Sequence, residues 1–250
     1  MRIRLLVAYD GTDYHGWQLQ ANAVSVEEVL TEALRGLLGE KTELAGASRT
    51  DAGVHALGNV AVFDTETRIP PEKIAIAVNQ RLPEDIRVMR SERVSDSFHP
   101  RYAKSRKTYE YAITNAGIQL PTKRLYSYFV YIPLDVEAMA RAAGYFAGEH
   151  DFGGFCSAGS QVKSTVRTVY DIKVMADGED IKIRITGNGF LYNMVRIIAG
   201  TLVEVGMGRR KPETIRQALL QADRSLAGPT APANGLTLIR IEYDHEETAK

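Results

Sequence analysis

The feature that most constrains the fold is a change of hydrophobic period near the N-terminus. Apolar and polar residues alternate from residue 2 to 10, which is the period of a β-strand with one buried face. Apolar residues then recur at helical spacing from Val26 to Leu38. Ser25 precedes this segment and Glu28 follows three residues later, as a capping box requires. The chain therefore begins with a strand and a capped helix.

The remainder of the first hundred residues extends this pattern. It predicts a strand at 57–65, a helix that opens at Pro70 and Pro71 and runs to about Gln80, and a strand at Ile86–Val94. If residues near 42–47 supply a further strand, the order is strand, helix, strand, strand, helix, strand. That is the ferredoxin-like arrangement.

The second half follows a similar order in outline. The predicted elements are a strand at Thr108–Thr114, a helix at Asp135–Ala147, a hairpin of 166–175 and 181–186, helices at Phe190–Val205 and Pro212–Ala222, and a strand at Leu236–Tyr243. We therefore expect an α+β fold with two ferredoxin-like halves, residues 1–100 and 101–250. The halves are expected to share a central, mainly antiparallel sheet with helices on one side and a cleft between them.

Composition excludes several classes of protein. The single Cys156 forms no internal disulfide and no thiolate zinc site. The N-terminus has too short an apolar run for a signal peptide, and no segment approaches the roughly 20 apolar residues of a membrane span. We therefore expect a cytoplasmic protein with no membrane contact.

The charge is balanced overall but unevenly distributed. The chain has 31 basic and 31 acidic residues, whereas nucleic-acid binders usually carry a basic surplus. The stretch from His99 to Tyr109, however, contains Arg101, Lys104, Arg106 and Lys107 and no acid. Such a run is either a phosphate-binding surface or, more often, a solvated face. The sequence leaves both interpretations open.

The segment Gly46–Ala56 is the best candidate for a catalytic loop. It is polar, bounded by glycine and predicted to lie between two regular elements, where functional residues concentrate. Asp51 is its only carboxylate, and the small residues Ala52 and Gly53 leave room for a ligand. The alternative is that Asp51 only caps a turn and that Arg49 is only a surface charge.

Two residues elsewhere are candidates for the same site. Arg196 lies within an apolar predicted helix, and a buried guanidinium requires a partner. That partner is either a structural acid such as Glu204 or the carboxylate of Asp51, which the arginine would keep ionised. Tyr109 belongs to a predicted strand, where it either packs in the core or stacks on a base beside phosphate-binding cations.

No metal or cofactor is expected. His15, His55 and His99 are scattered without a paired ligand motif, and Gly187–Gly189 matches no phosphate-binding fingerprint. Two other functions remain open from the residues alone. One is a hydrolase with Asp51 as general base and His55 as acid, and the other is a non-catalytic RNA-binding module.

Several motifs together resemble the tRNA pseudouridine synthase A family. They are Tyr9–Thr12 with Tyr14–Gln20, the loop Ala47–Ala56, Ser97–Tyr102, Lys107–Tyr111, Asp151–Phe152, Asn193–Arg196 and Gly235–Leu238. They span almost the whole chain in the order of the family. Pro100 departs from the alanine that is common there, and 103–107 varies, which affects expected phosphate contacts only.

The resemblance implies an activity and a role for each candidate. The family isomerises uridine to pseudouridine at positions 38, 39 and 40 of the tRNA anticodon arm, as a homodimer and without a cofactor. Asp51 then matches the catalytic aspartate, Tyr109 the tyrosine that stacks on the target base, and Arg196 the arginine that pairs with the aspartate. Arg49 matches the residue that fills the gap left by the base. Substrate contacts are expected from Arg49, Tyr109, His55, Arg101 and Lys107.

Overall fold

The computed structural model describes residues 1–159 and 162–244, which fall into two compact units. The first unit comprises Met1–Ser105 and the residues from Leu238 onward. The second comprises Arg106–Thr237. The sequence-based boundary after residue 100 stays a prediction.

The first unit has the predicted ferredoxin-like order. Its elements are β1 (Arg2–Tyr9), α1 (Val26–Leu38), β2 (Ala45–Gly46), β3 (His55–Asp64), α2 (Ile74–Asn79, after a 3-10 turn at Pro71–Lys73), β4 (Ile86–Val94) and, from Leu238, the strand β10 (Leu236–Tyr243). The strand order is β4-β1-β3-β10, and β2 also pairs with β3. The pairs β1–β3, β1–β4 and β2–β3 are antiparallel.

Local sequence explains the first two elements. The alternating residues of β1, from Ile3 to Tyr9, are buried on one face of the strand. At the start of α1, the Ser25 hydroxyl accepts from the Glu28 backbone N–H, and the Glu28 carboxylate accepts from the Ser25 backbone N–H. Both hydrogen bonds of the predicted capping box are therefore present.

The second unit is also built from antiparallel strands and helices. Its elements are β5 (Ser105–Asn115), β6 (Tyr128–Val130), α3 (Val136–Ala143), β7 (Gly148–Asp151), β8 (Val166–Asp177), β9 (Asp180–Gly187), α4 (Met194–Gly206) and α5 (Glu213–Gln221). The order β5-β9-β8-β7 is antiparallel throughout, and the short β6 runs parallel to β5. The α+β class is therefore confirmed. The cleft between the halves stays a prediction.

The predicted start of α4 is wrong by four residues. The helix begins at Met194 and not at Phe190, because Asn193 has φ 60° and ψ 7°, the left-handed conformation. A helix does not continue through such a residue. The helix is nevertheless buried on nearly all sides, as its apolar sequence predicts. Within the described ranges, no helix is long and apolar enough to cross a membrane.

Candidate active site

The loop from Gly46 to Ala56, called the aspartate loop below, places Asp51 at the start of a tight turn. Asp51 is half-buried, between buried Thr50 and exposed Ala52. The Val54 N–H donates to the Asp51 carbonyl oxygen at 3.1 Å, and Gly53, the third residue of the turn, has φ 76°. Positive φ at this position is the requirement of a type II turn. Because the backbone carbonyl closes the turn, closure does not require the Asp51 carboxylate.

Backbone hydrogen bonds from the loop of residues 11–17 hold the aspartate loop on both sides of Asp51. The Gly53 N–H donates to the Tyr14 carbonyl oxygen at 3.1 Å. The Trp17 N–H donates to the Thr50 carbonyl oxygen, also at 3.1 Å. The two loops are therefore joined at the residue before Asp51 and again two residues after it.

Two glycines permit this close approach. A Cβ on Gly11 would overlap the carbonyl oxygen of Val54, and a Cβ on Gly16 would overlap that of Thr50. Gly16 also has φ 87°, which favours glycine. Sequence analysis did not identify these glycines as part of the site. The only signal was their place in the Tyr9–Gln20 motif, which shows no physical role before the fold is known.

A cluster of buried polar side chains stabilises the aspartate loop through hydrogen bonds. The Tyr9 hydroxyl lies 2.7 Å from the Thr50 hydroxyl. The Asn59 side-chain amide donates to the Tyr9 hydroxyl oxygen at 3.3 Å and to the Ser48 carbonyl oxygen at 3.1 Å. All four residues are buried. Because buried polar groups are costly to leave unpaired, these bonds favour one conformation of the loop.

His55 lies at the end of the aspartate loop and is buried. Its Nδ1 is 3.1 Å from the Gly11 backbone nitrogen and 3.1 Å from Asp10 Oδ1. A neutral Nδ1 accepts from Gly11, whereas a protonated Nδ1 donates to Asp10. In either state His55 links the aspartate loop to the loop of residues 11–17. Its predicted contact with substrate stays a prediction.

Arg49 and Arg101 both belong to the first unit. Both are exposed, and an Arg101 Nη2 hydrogen donates to the Gly46 carbonyl oxygen at 3.2 Å. Partial burial and, next, the positive charge of Arg49 lower the pKa of Arg101 below its ordinary value. The aspartate loop therefore carries a local concentration of positive charge. Phosphate contact by either arginine, or by half-buried Lys107 at the start of β5, stays a prediction.

Tyr109 belongs to the second unit, on β5 opposite Ile185 of β9. Its side chain is 6% exposed, and its ring packs edge-to-face on Phe190 with the centroids 5.2 Å apart. This contact favours one orientation of the ring. Base stacking by Tyr109 stays a prediction.

Arg196 lies in the first turn of α4, because the helix begins at Met194. Its Nε donates to the Ala231 carbonyl oxygen at 2.8 Å, and its Nη1 donates to Asn193 Oδ1 at 2.7 Å. The structural acid considered as an alternative partner, Glu204, pairs with Arg210 at 2.9 Å. Two oxygens of the second unit therefore orient the guanidinium.

The described residues 1–159 and 162–244 include no cluster of three or more histidine, cysteine, aspartate or glutamate side chains that could hold a metal ion.

The structure places the predicted site residues Arg49, Asp51, His55 and Arg101 in the first unit. Tyr109 and Arg196 belong to the second.

Comparison with known proteins defines the class. The family model described as tRNA pseudouridine synthase matches residues 5–103 and 142–244. A protein named tRNA pseudouridine synthase A from Thermoanaerobacter sp. (strain X514) is 51% identical over 241 residues, covering 96% of this chain and 99% of that protein. A protein of the same name from Acetivibrio thermocellus is 47% identical with the same coverage.

The chain therefore belongs to the tRNA pseudouridine synthase family, and pseudouridine synthases are isomerases. Among solved structures, an archaeal box H/ACA sRNP Nop10-Cbf5 complex matches with a TM-score of 0.33 and 13% identity, covering 98% of this chain and 50% of that one. So low a TM-score carries no conclusion about site or substrate.

Proposed function

We propose that this chain converts uridine to pseudouridine in tRNA, at positions 38, 39 and 40 of the anticodon stem and loop. Asp51 is the proposed nucleophile, and no cofactor takes part. The names of the relatives support tRNA as substrate. The anticodon positions rest on the resemblance of the motifs to the synthase A family.

The observation that carries the proposal is the way in which Asp51 is held. Two backbone hydrogen bonds and two glycine contacts fix the chain on either side of it. The side chain is half-buried, and the next residue is the small, exposed Ala52. A carboxylate in a rigid loop with little bulk around it suits attack on a bound nucleotide, because catalysis requires fixed geometry and close approach.

The reaction is an isomerisation in which atoms balance within the substrate. The bond from N1 of uracil to C1' of ribose breaks, and a bond from C5 to C1' forms. C5 loses its hydrogen, and N1 gains one. In one route Asp51 attacks C6 of the base, and the bond that it forms breaks again when the product is complete. In the other, Asp51 assists the departure of uracil from C1' and takes the C2' proton of ribose to give a glycal-like intermediate, and that proton returns to C2' when C5 bonds to C1'. Both routes require an ionised Asp51.

Arg196 and Tyr109 complete the proposed catalytic group. Arg196 pairs with Asp51 and keeps it ionised, since a nearby positive charge favours the carboxylate. The orientation of the guanidinium by Asn193 and Ala231 supports this role. Tyr109 is proposed to stack on the target base and to act as general base, and the contact with Phe190 that favours one ring orientation supports the stacking role.

The remaining candidates contact RNA. Arg49 fills the gap that the extruded base leaves. Arg101 and Lys107 bind phosphates, and the hydrogen bond from Arg101 to the Gly46 carbonyl oxygen of the aspartate loop supports this role for Arg101. His55 is proposed to touch substrate at the edge of the site. We further propose a homodimer, which extends the basic surface along an L-shaped RNA, and a cytoplasmic location, where such a tRNA is available.

Mapping of product tests the proposed positions. Unmodified tRNA carrying uridine at 38, 39 and 40 is incubated with the purified protein in chelator, and pseudouridine is located by carbodiimide-dependent primer-extension stops. We expect stops at those positions, and loss of each stop when that uridine is replaced by cytidine. Stops only outside the anticodon arm, or a requirement for added metal, would overturn the proposal as stated.

A further inference from the structure

The residue that precedes α4 has an unusual backbone for its position. Asn193 has φ 60°, and among the described residues only it and Ala222 have positive φ without being glycine. Asparagine is a favoured N-cap residue, but N-caps are normally extended and accept a backbone N–H with the side chain. The Asn193 side chain makes no such capping bond. Its amide therefore serves another purpose.

Both ends of the Asn193 amide are engaged by other side chains. Its Oδ1 accepts from Arg196 Nη1 at 2.7 Å, and its Nδ2 donates to the Ser157 hydroxyl oxygen at 2.9 Å. A guanidinium has donors only, so the oxygen of the amide must face Arg196 and the nitrogen must face Ser157. The Ser157 backbone N–H in turn donates to the Tyr192 carbonyl oxygen at 3.1 Å. Ser157 thus holds the nitrogen end of the Asn193 amide, while the oxygen end faces Arg196.

The left-handed backbone connects this amide to the helix. The left-handed conformation of Asn193 turns the chain so that α4 begins at Met194. It also places the Asn193 amide beside the side chain of Arg196, three residues later. Asparagine is one of the few residues other than glycine that adopts this conformation readily. Glycine would adopt the same backbone but would lack the amide. Position 193 therefore combines a backbone requirement with a side-chain requirement.

We propose that Asn193 is a positioning residue for catalysis, which fixes the guanidinium of Arg196 in the orientation that its catalytic role requires. This inference rests on the proposed function, in which Arg196 takes part in catalysis. Arg196 donates a hydrogen bond from Nη1 to Asn193 Oδ1 and another from Nε to the Ala231 carbonyl oxygen. The guanidinium has five N–H donors in a rigid plane, so two fixed bonds determine where the other donors point.

The test uses Asn193→Gly, which preserves the left-handed backbone and removes the amide. We expect a melting temperature close to that of the parent, KM for tRNA within about twofold, and kcat lower by roughly tenfold or more. Ser157→Ala removes only the hydrogen bond between the Ser157 hydroxyl and the Asn193 amide, and we expect it to lower kcat less than Asn193→Gly does. Ala222→Gly is the matched control, because it places glycine at the other positive φ, and it leaves kcat unchanged.

Measurements in the Arg196→Ala variant distinguish a positioning role of Asn193 from a merely structural one. Single-turnover rates are measured for Arg196→Ala and for Arg196→Ala with Asn193→Gly, with enzyme in excess. If Asn193 acts through Arg196, the second substitution adds no further loss. An equal loss in both backgrounds, or an unchanged kcat for Asn193→Gly alone, overturns the inference while the proposed function stands. Full activity of Arg196→Ala instead overturns the proposed role of Arg196 itself.

Discussion

The carbonyl oxygen of Thr50, the residue before Asp51, occupies the space that a side chain at Gly16 would need. A Cβ at Gly16 would overlap that oxygen and would also lie 3.1 Å from the Asp51 carbonyl carbon. The neighbouring atoms are backbone, so no flexible side chain can move aside. The position of Asp51 therefore depends on the absence of a side chain at residue 16.

Gly16→Ala is expected to destabilise the protein and to lower kcat. Positive φ costs about 1–2 kcal/mol for alanine, and overlap with backbone adds about 1–3 kcal/mol. Gly39→Ala is the matched control, because Gly39 also has positive φ, 69°, but a Cβ there meets nothing within 4 Å. Chemical denaturation and tRNA turnover measure both variants. Equal destabilisation by the two substitutions would contradict the contact between Gly16 and Thr50.

Glu110 provides a test of pH dependence in the second unit. Its carboxylate, 13% exposed, contacts Arg184 at 2.6 Å and Lys182 at 3.2 Å. Burial raises the pKa of Glu110, but hydrogen bonds from Arg184 and Lys182 lower it more, so the pKa lies below its ordinary value. The stabilisation is therefore present above the unfolded pKa of about 4.3 and is lost as pH falls through the folded pKa.

We expect Glu110→Gln to lower the free energy of unfolding by about 1 kcal/mol at neutral pH. The difference in the free energy of unfolding between Glu110→Gln and the parent shrinks as the pH falls below about 4. Glu137→Gln is the control, because the Glu137–Arg141 pair is exposed and 3.8 Å apart, and it changes stability little. Urea unfolding across pH measures both. A difference for Glu110→Gln that persists unchanged at low pH would refute the role of its charge.

The salt dependence of tRNA binding tests the positive cluster beside the aspartate loop. If Arg101 contacts a phosphate, Arg101→Gln weakens binding and reduces the slope of log K against log salt by about 1. Arg141→Gln is the control, because Arg141 is exposed on α3 and is paired with Glu137. Filter binding at several salt concentrations gives both slopes. An unchanged slope for Arg101→Gln would show that this arginine makes no phosphate contact.

Local sequence predicted those elements whose causes are local. The capping box of Ser25 and Glu28 predicted the start of α1, and the predicted bounds of β4 and β10 are those of the structure. The three-residue β6 was missed because so short a strand has no readable period, and its pairing with β5 is long-range. The early start predicted for α4 followed the apolar run, because a single left-handed residue leaves no mark on hydrophobic period.

The same distinction applies to the candidate site. Asp51 stood out because polarity and small neighbours are visible in the sequence. Gly11 and Gly16 did not, because their role is contact with backbone about forty residues away in the chain, which only the fold creates. Arg196 was identified from the cost of burying charge. The hydrogen bond from Arg196 to Asn193 was not predicted, because the predicted helix extended through Asn193.

The most direct test of the central proposal is release of tritium from tRNA that carries uridine labelled at C5, because C5 must lose its hydrogen when it bonds to C1'. The parent, Asp51→Asn and the control Asp13→Asn, which alters an exposed carboxylate of the neighbouring loop, are compared at equal tRNA occupancy. We expect Asp51→Asn to lose at least about a thousandfold in rate, with binding retained, and Asp13→Asn to match the parent. Tritium release by Asp51→Asn at the parental rate would contradict the assignment of Asp51 as nucleophile.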